Sequence, residues 1–189
     1  MTLRTLLAGE HTCPWWLIRT FDNPIRKLIH NPERILAGLV APGDTVLDLG
    51  CGIGYFTLPL ARLVGPNGAV IAADLQPQML AGVGRRAEAA GLADRIRLHR
   101  AEPQHIGVEG PVDFALAFWM VHEVHTPEAF LAEVHATLRA GGRFLLVEPR
   151  VHVPARAFEK TLAFAQAAGF RPVDAPHIAV SRARLFATT

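Results

Sequence analysis

The chain contains only two cysteines, Cys13 and Cys51, among its 189 residues, too few for a disulfide framework. A reducing, cytoplasmic location is therefore expected. No apolar run reaches the roughly 18–20 residues of a membrane-spanning helix. The only apolar start, residues 3–8, is followed by Glu10 and Pro14, so a signal peptide is not expected either.

The sequence also has no large excess of charge of either sign. The sequence has 19 Lys and Arg against 17 Asp and Glu, a net charge of +2 with His neutral. Without an extended basic block, we expect no nucleic-acid partner. The sequence has no internal repeat and no low-complexity segment. Its length and a hydrophobic fraction of 50% suit one α/β domain with a buried sheet, and the chain is too short for two such domains.

Residues 46–61, VLDLGCGIGYFTLPLA, have the pattern of a buried strand, a glycine turn and the start of a helix. The strand is almost entirely apolar. Gly50, Gly52 and Gly54 then allow the backbone to approach a ligand closely. This segment predicts a ligand site at the carboxyl end of the first core strand.

The charge next to this turn indicates which kind of cofactor fits. A dinucleotide places its pyrophosphate just after such a strand, where the carboxylate of Asp48 would repel it. The dinucleotide pattern G-x-G-x-x-G also requires a third glycine at position 55, which is Tyr55. A cofactor that carries an ammonium and a sulfonium would instead be attracted to Asp48.

Strands and helices alternate along the rest of the chain, which predicts a mostly parallel, doubly wound α/β sheet with helices on both faces. The last two strands are expected to form an antiparallel hairpin. The expected strands are residues 45–49, 69–74, 96–100, 112–119, 143–148, 170–173 and 178–187. The expected helices in this part of the chain are residues 55–64, 77–90, 127–138 and 155–168, and Asn31-Pro32 suggests a helix start before them.

Gly50-x-Gly52-x-Gly54 after Asp48 resembles motif I of the class I S-adenosylmethionine-dependent methyltransferases. The order of elements matches that family over about residues 33–189, and residues 112–149 resemble its small-molecule branch. The resemblance implies a seven-stranded Rossmann-like methyltransferase fold, S-adenosylmethionine as cofactor and methyl transfer to a small, partly apolar acceptor. Residues 13–36 resemble the opening of a bacterial and archaeal subgroup, which does not identify the acceptor.

The resemblance also implies two regions and a set of cofactor contacts. Residues 1–42 would form a helical cap, and residues 43–189 would form the S-adenosylmethionine-binding domain. Asp74 would hold the ribose from a solvent-facing strand end. The family usually has Asp after strand three, where this chain has Glu102. The full set of expected cofactor-binding residues is Asp48, Gly50, Gly52, Gly54, Tyr55, Asp74, Leu75, Glu102 and Phe118.

His122 follows strand four and is the candidate catalytic base, because a neutral imidazole can take a proton from an acceptor. Its alternative role is to pack beneath the cofactor or to cap the next helix. The expected substrate pocket consists of Trp15, Trp16, Trp119, His125 and His152.

Three alternatives remain open at this stage. A metal site could form from His122, His125, Glu148, His152 and Cys13, although His122-x-x-His125 fits no strong zinc pattern and no metal is predicted. A nicotinamide-dependent oxidoreductase is disfavoured by Asp48 and Tyr55. A non-catalytic S-adenosylmethionine-binding protein would share every cofactor contact.

The aromatic and basic residues near the N-terminus also suit either a membrane surface or an ordinary packed helix.

Overall fold

The computed structural model describes residues 29–189, in which seven strands form one sheet. The strands are β1 (Thr45–Leu49), β2 (Ala69–Asp74), β3 (Ile96–Arg100), β4 (Val112–Phe118), β5 (Leu138–Pro149), β6 (Arg171–Asp174) and β7 (Ser181–Ala187). Their order across the sheet is β3-β2-β1-β4-β5-β7-β6. β1 to β5 are parallel, whereas β7 is antiparallel to both β5 and β6. The predicted mostly parallel sheet with a C-terminal hairpin is confirmed.

Five α-helices and two short 3-10 turns complete residues 29–189. The helices are α1 (Pro32–Leu36), α2 (Thr57–Leu63), α3 (Pro77–Ala89), α4 (Pro127–Thr137) and α5 (Ala155–Ala167), and the 3-10 turns are Ala93–Arg95 and Val121–Glu123. The start of α1 is as predicted, because Oδ1 of Asn31 accepts a hydrogen bond of 3.1 Å from the Arg34 amide. None of the helices in this part of the chain is long and apolar enough to cross a bilayer.

The core lies on both faces of the sheet. On one face, Leu131 and Phe158 bring α4 and α5 against β4 and β5, and on the other face Leu36 and Leu60 bring α1 and α2 against β1. The central strands are therefore almost completely buried, which explains their near-continuous apolar sequence. With both faces covered, the edge formed by the carboxyl ends of β1, β2, β4 and β5 is the natural ligand site.

Several element boundaries differ from the sequence-based predictions. α2 begins at Thr57, two residues later than predicted, because the glycine turn extends that far. β4 ends at Phe118 because Trp119 has a φ of 62° and leaves the strand direction. β7 begins at Ser181, since Val180 has a φ of 52° in the preceding turn. β5 begins at Leu138, which pairs with Val112 across an irregularity in the ladder.

Candidate active site

The turn between β1 and α2 depends on glycine. Gly50, Gly52 and Gly54 have φ values of 63°, 53° and 89°, in the left-handed region that side chains disfavour. A Cβ at Gly54 would lie 2.8 Å from Cδ1 of Leu58 in α2. The turn is therefore held close against the helix, with its backbone at the carboxyl edge of the sheet.

Asp48 lies beneath this turn as a buried carboxyl group. Its side chain is only 3% exposed, and its Oδ2 accepts a hydrogen bond of 2.6 Å from Oγ1 of Thr57. Burial raises the pKa of Asp48 to about 7, against the opposing effect of the Thr57 hydrogen bond and with a further increase from the charge of Asp74. A cationic group bound nearby would favour the ionised form.

Asp74 ends β2 and folds back onto the backbone. Its Oδ2 accepts a hydrogen bond of 3.0 Å from the Gly52 amide, and its Oδ1 accepts one of 2.9 Å from the Gln76 amide. The residue is 9% exposed, so the expectation of a solvent-facing strand end is wrong: these two amides draw the carboxyl group inward. Burial raises its pKa, opposed mainly by the same two hydrogen bonds. Each carboxylate oxygen can accept more than one hydrogen bond, so acceptor capacity remains for hydroxyl groups of a ligand.

The other expected cofactor residues lie in contrasting surroundings. Leu75 is 36% exposed beside Asp74. Glu102 is exposed, and its backbone pairs with His105 in a small bridge just after β3. Tyr55, by contrast, is buried, and its hydroxyl donates a hydrogen bond of 2.7 Å to the carbonyl of His30.

Two aromatic residues lie at the same edge, Phe118 at the end of β4 and Trp119 just after it. Phe118 is buried, with its ring centroid 4.4 Å from that of Phe56 and 5.7 Å from that of Trp119. Nε1 of Trp119 donates a hydrogen bond of 3.0 Å to Oγ of Ser181. The positive φ of Trp119 costs about 1–3 kcal/mol, and such strain often accompanies a functional site.

His122 lies in the 3-10 turn after β4 and is bound twice by Glu148, at the end of β5. Nδ1 of His122 lies 2.5 Å from Oε2 of Glu148, and the His122 backbone amide donates a hydrogen bond of 3.1 Å to Oε1. Burial lowers the pKa of His122, but the hydrogen bond and charge of Glu148, with the charge of Glu123, raise it overall.

The structure brings together only some of the predicted pocket residues. The ring of His152 lies 6.1 Å from that of His122, centroid to centroid, and both follow neighbouring strands. His125 is exposed on the loop before α4. Residues 29–189 hold no group of three His, Cys, Asp or Glu side chains suited to a metal ion. Trp15, Trp16 and Cys13 lie outside the described residues.

Sequence reasoning missed four side-chain partners in this site. Thr57 is the partner of Asp48, and its position in the first turn of the helix after the glycine motif was a usable signal. The sequence suggests Glu148 only as a metal ligand, although its place at the end of the strand next to β4 predicts contact with His122. His30 and Ser181, which contact Trp119, gave no local signal.

The sheet order, the glycine turn between two buried carboxyl groups and the aromatic end of β4 together define a class I S-adenosylmethionine-dependent methyltransferase fold. Residues 46–142, just over half of the chain, match the methyltransferase domain family. The chain belongs to this family.

Curated relatives and solved structures agree with this assignment. The chain is 33% identical over 108 residues to demethylmenaquinone methyltransferase of Symbiobacterium thermophilum, covering 57% of this chain and 43% of that protein. It is 32% identical over 114 residues to arsenite methyltransferase of Halobacterium salinarum, covering 60% of this chain and 28% of that protein. The matched region thus spans less than half the length of these relatives.

Two solved structures illustrate the fold. An S-adenosylmethionine-dependent methyltransferase from Aquifex aeolicus has a TM-score of 0.85 at 23% identity, covering 94% of this chain and all of that one. The [4+2]-cyclase SpnF has a TM-score of 0.67 at 21% identity, covering 78% of this chain and 60% of that one. The fold therefore also occurs in a protein named for another reaction, and function has to be argued from the site.

Proposed function

We propose that the protein transfers the methyl group of S-adenosylmethionine to a small, partly apolar acceptor. The observation that carries this proposal is the pair of buried carboxyl groups, Asp48 and Asp74, on either side of the glycine turn. Burying two acidic groups beside each other costs free energy, which the hydrogen bonds from Thr57 and from the Gly52 and Gln76 amides offset in part and a cationic ligand would offset further. S-adenosylmethionine does so through its ammonium, its sulfonium and its ribose hydroxyls.

Each part of the cofactor has a candidate partner. Asp48 and the turn amides, including that of Tyr55, would hold the amino-acid end. Asp74 would accept hydrogen bonds from the ribose hydroxyls with the acceptor capacity that the Gly52 and Gln76 amides leave. Leu75 and Glu102 would contact the adenine from the rim, where both are exposed.

The reaction itself requires positioning more than activation. The sulfonium methyl group is already reactive, so the protein has to hold the acceptor in line with it and exclude water. Trp119 is partly exposed just after β4 and would supply an apolar surface, with the buried ring of Phe118 packed against it. His122, on the following 3-10 turn, is the candidate base for an acceptor that must lose a proton.

The acceptor is proposed to be small. The names of the relatives point to demethylmenaquinone in one case and arsenite in another, and neither of these is a macromolecule. The pocket would consist of Trp15 and Trp16, which lie outside the described residues, together with Trp119, His125 and His152. We further propose that no nucleic acid takes part and that the protein is cytoplasmic.

Calorimetric titration tests the cofactor assignment. We expect S-adenosylmethionine and S-adenosylhomocysteine to bind and NAD and NADP to bind much more weakly, because Asp48 repels a pyrophosphate. Asp74→Asn should weaken binding by about 2–3 kcal/mol, the scale of losing a charge-assisted hydrogen-bond partner. Asp94→Asn, a change at an exposed residue on the 3-10 turn before β3, is the matched control.

Stronger binding of a dinucleotide would overturn the assignment. The non-catalytic alternative, and a reaction other than methyl transfer such as that of the cyclase, are tested separately. Incubation with S-adenosylmethionine and a set of small acceptors, followed by mass spectrometry, should detect a methylated product. Cofactor binding without S-adenosylhomocysteine formation for any acceptor would favour the non-catalytic alternative.

A further inference from the structure

Glu148 is a buried acidic residue whose bonds are directed at one partner. The residue is 1% exposed, and both of its carboxyl oxygens contact His122. β4 and β5 are parallel neighbours, so the turn after β4 and the end of β5 meet at the same edge of the sheet. Burying a carboxylate costs free energy unless it is well paired, so this contact is a specific feature of the edge.

The two contacts determine the tautomer and the orientation of the His122 imidazole. Nδ1 of His122 lies 2.5 Å from Oε2, which makes Nδ1 the protonated nitrogen of the neutral ring. The bond from the His122 amide to Oε1 fixes the backbone at the same time. Among the hydrogen bonds formed within residues 29–189, none involves Nε2 of His122. The side chain is 24% exposed, so part of the ring remains open to a ligand.

We propose that Glu148 is a positioning residue that holds His122 as a general base, and that the acceptor is an aromatic hydroxyl group. This inference rests on the proposed methyl transfer and adds to it the acceptor class and the role of Glu148. The carboxylate fixes the reactive tautomer before the reaction and stabilises the imidazolium that forms during it.

The acidity of an aromatic hydroxyl group matches the strength of an imidazole base better than that of other acceptors. A phenol such as tyrosine has a pKa of about 10, close enough to that of an imidazole for proton transfer to accompany attack. Aliphatic hydroxyls are far less acidic, and thiols ionise readily without a base. A flat ring also suits the partly exposed indole of Trp119, which follows β4 three residues before His122.

The step balances without a further reactant. An oxygen lone pair of the acceptor forms the O–C bond to the methyl carbon, and the C–S bond breaks with its electron pair going to sulfur. The hydroxyl proton moves to Nε2 of His122. The products are the methyl ether, neutral S-adenosylhomocysteine and an imidazolium paired with Glu148, which then releases its proton to solvent.

Three other ionisable groups lie around this pair. Glu123 belongs to the same 3-10 turn as His122 and adds to the increase in its pKa. His152, after β5, lies with its ring 6.1 Å from that of His122. Arg182 of β7 is opposite Glu148 in the ladder, but its Nε donates a hydrogen bond to the Val153 carbonyl. The pH behaviour of His122 is therefore expected to depend mainly on Glu148.

The first experiment examines the pair without any acceptor. In the full chain labelled with nitrogen-15, NMR should find neutral His122 protonated at Nδ1, with its pKa above the usual value for histidine. Glu148→Gln should lower that pKa, whereas Glu159→Gln, at an exposed position of α5, should leave it unchanged. An identical His122 titration in the Glu148→Gln variant would overturn the positioning role.

The second experiment tests the acceptor class with phenol and 4-nitrophenol as probes. His122→Asn should slow phenol methylation by roughly 10²–10⁴-fold, the usual range for a general base. It should slow methylation of 4-nitrophenol by less than about 10-fold, because that probe ionises near neutral pH without a base. In the wild type, the rate with phenol should rise with pH as His122 loses its proton, and Glu148→Gln should move this rise to lower pH.

Each outcome is decisive. If His122→Asn slows methylation of both probes equally, His122 does not act as a general base. An unshifted pH profile in Glu148→Gln would contradict the positioning role of Glu148. If S-adenosylhomocysteine binds but neither phenol is methylated at oxygen, the acceptor class is wrong while the cofactor assignment stands. If S-adenosylhomocysteine does not bind to the wild type, the proposed function itself fails.

Discussion

At the scale of single residues, Asp48 is expected to link the proposed cofactor binding to pH. Its carboxyl group is buried with Thr57 as its hydrogen-bond partner, and burial raises its pKa to about 7. Such a group carries a proton below pH 7 and a negative charge above it. A cofactor with a positive charge prefers the ionised form, so it has to displace that proton at lower pH.

We therefore predict that S-adenosylmethionine binds more weakly as the pH falls below 7, by up to tenfold for each pH unit. The sign follows from the raised pKa: protons and the cofactor compete for the same carboxyl group. Calorimetry between pH 5.5 and 8, in buffers that differ in ionisation enthalpy, would measure both the affinity and the proton released. Asp48→Asn should bind more weakly at every pH and lose most of this dependence. An unchanged pH dependence in this variant would assign the effect to another group.

The residues of the site differ in how far the sequence could predict them. Asp48, the three glycines and Asp74 belong to continuous strand–turn–helix segments, so local pattern alone places them at the sheet edge. The contact of His122 with Glu148 joins residues 26 positions apart and depends on two strands being neighbours. The inward fold of Asp74 was missed because two backbone amides, which no sequence pattern displays, determine it.

At the scale of elements, the glycine turn combines backbone strain with close packing. Gly54 has a φ of +89°, and a Cβ there would lie 2.8 Å from Leu58. Gly65, just after α2, has a φ of +69° with nothing within 4 Å of its Cβ position. These two positions separate the cost of the left-handed conformation from the cost of a steric clash.

Gly65→Ala should destabilise the protein by about 1–2 kcal/mol, the cost of a left-handed side-chain residue. Gly54→Ala should lower the free energy of unfolding by about 1–3 kcal/mol more than Gly65→Ala does, because the added methyl group also overpacks the turn against α2. Urea unfolding with linear extrapolation measures both losses. If the two variants were destabilised equally, α2 would have moved aside to accept the methyl group, and the turn would not be rigidly held.

Element boundaries were harder to predict than the elements themselves. Hydrophobic pattern identified every strand and helix between residues 45 and 189. β4 ends earlier and β7 begins later than predicted, because Trp119 and Val180 are non-glycine residues with positive φ. Tertiary contacts hold such residues in place: Trp119 is hydrogen-bonded to Ser181 on another strand.

At the scale of the whole molecule, hydrogen bonds tie the described residues just before β1 to the rest of the domain. The carbonyl of His30 accepts a hydrogen bond from Tyr55, and the carbonyl of Leu39 accepts one from Arg143 at 2.7 Å. The proposed cofactor-binding residues all lie from Asp48 onward. The division into a cap of residues 1–42 and a cofactor-binding domain of residues 43–189 stays a prediction.

That division leads to a prediction for the first 20 residues. Deleting them removes Trp15 and Trp16 and should abolish methylation of any acceptor that the full chain uses. Binding of S-adenosylhomocysteine should change by less than about 0.5 kcal/mol, as for sites that share no contacts. Calorimetry on the shortened chain provides the folding control. Full activity of this variant would remove the two tryptophans from the proposed pocket.

The position of β7 has a consequence for how the chain is made. β7 lies inside the sheet between β5 and β6, although it follows both in the sequence. During synthesis, β6 therefore leaves the ribosome with no strand to pair with, and the outer edge of β5 stays open until residues 181–187 arrive. A chain truncated after α5 and released from the ribosome would expose a long apolar strand edge, which favours chaperone binding and aggregation.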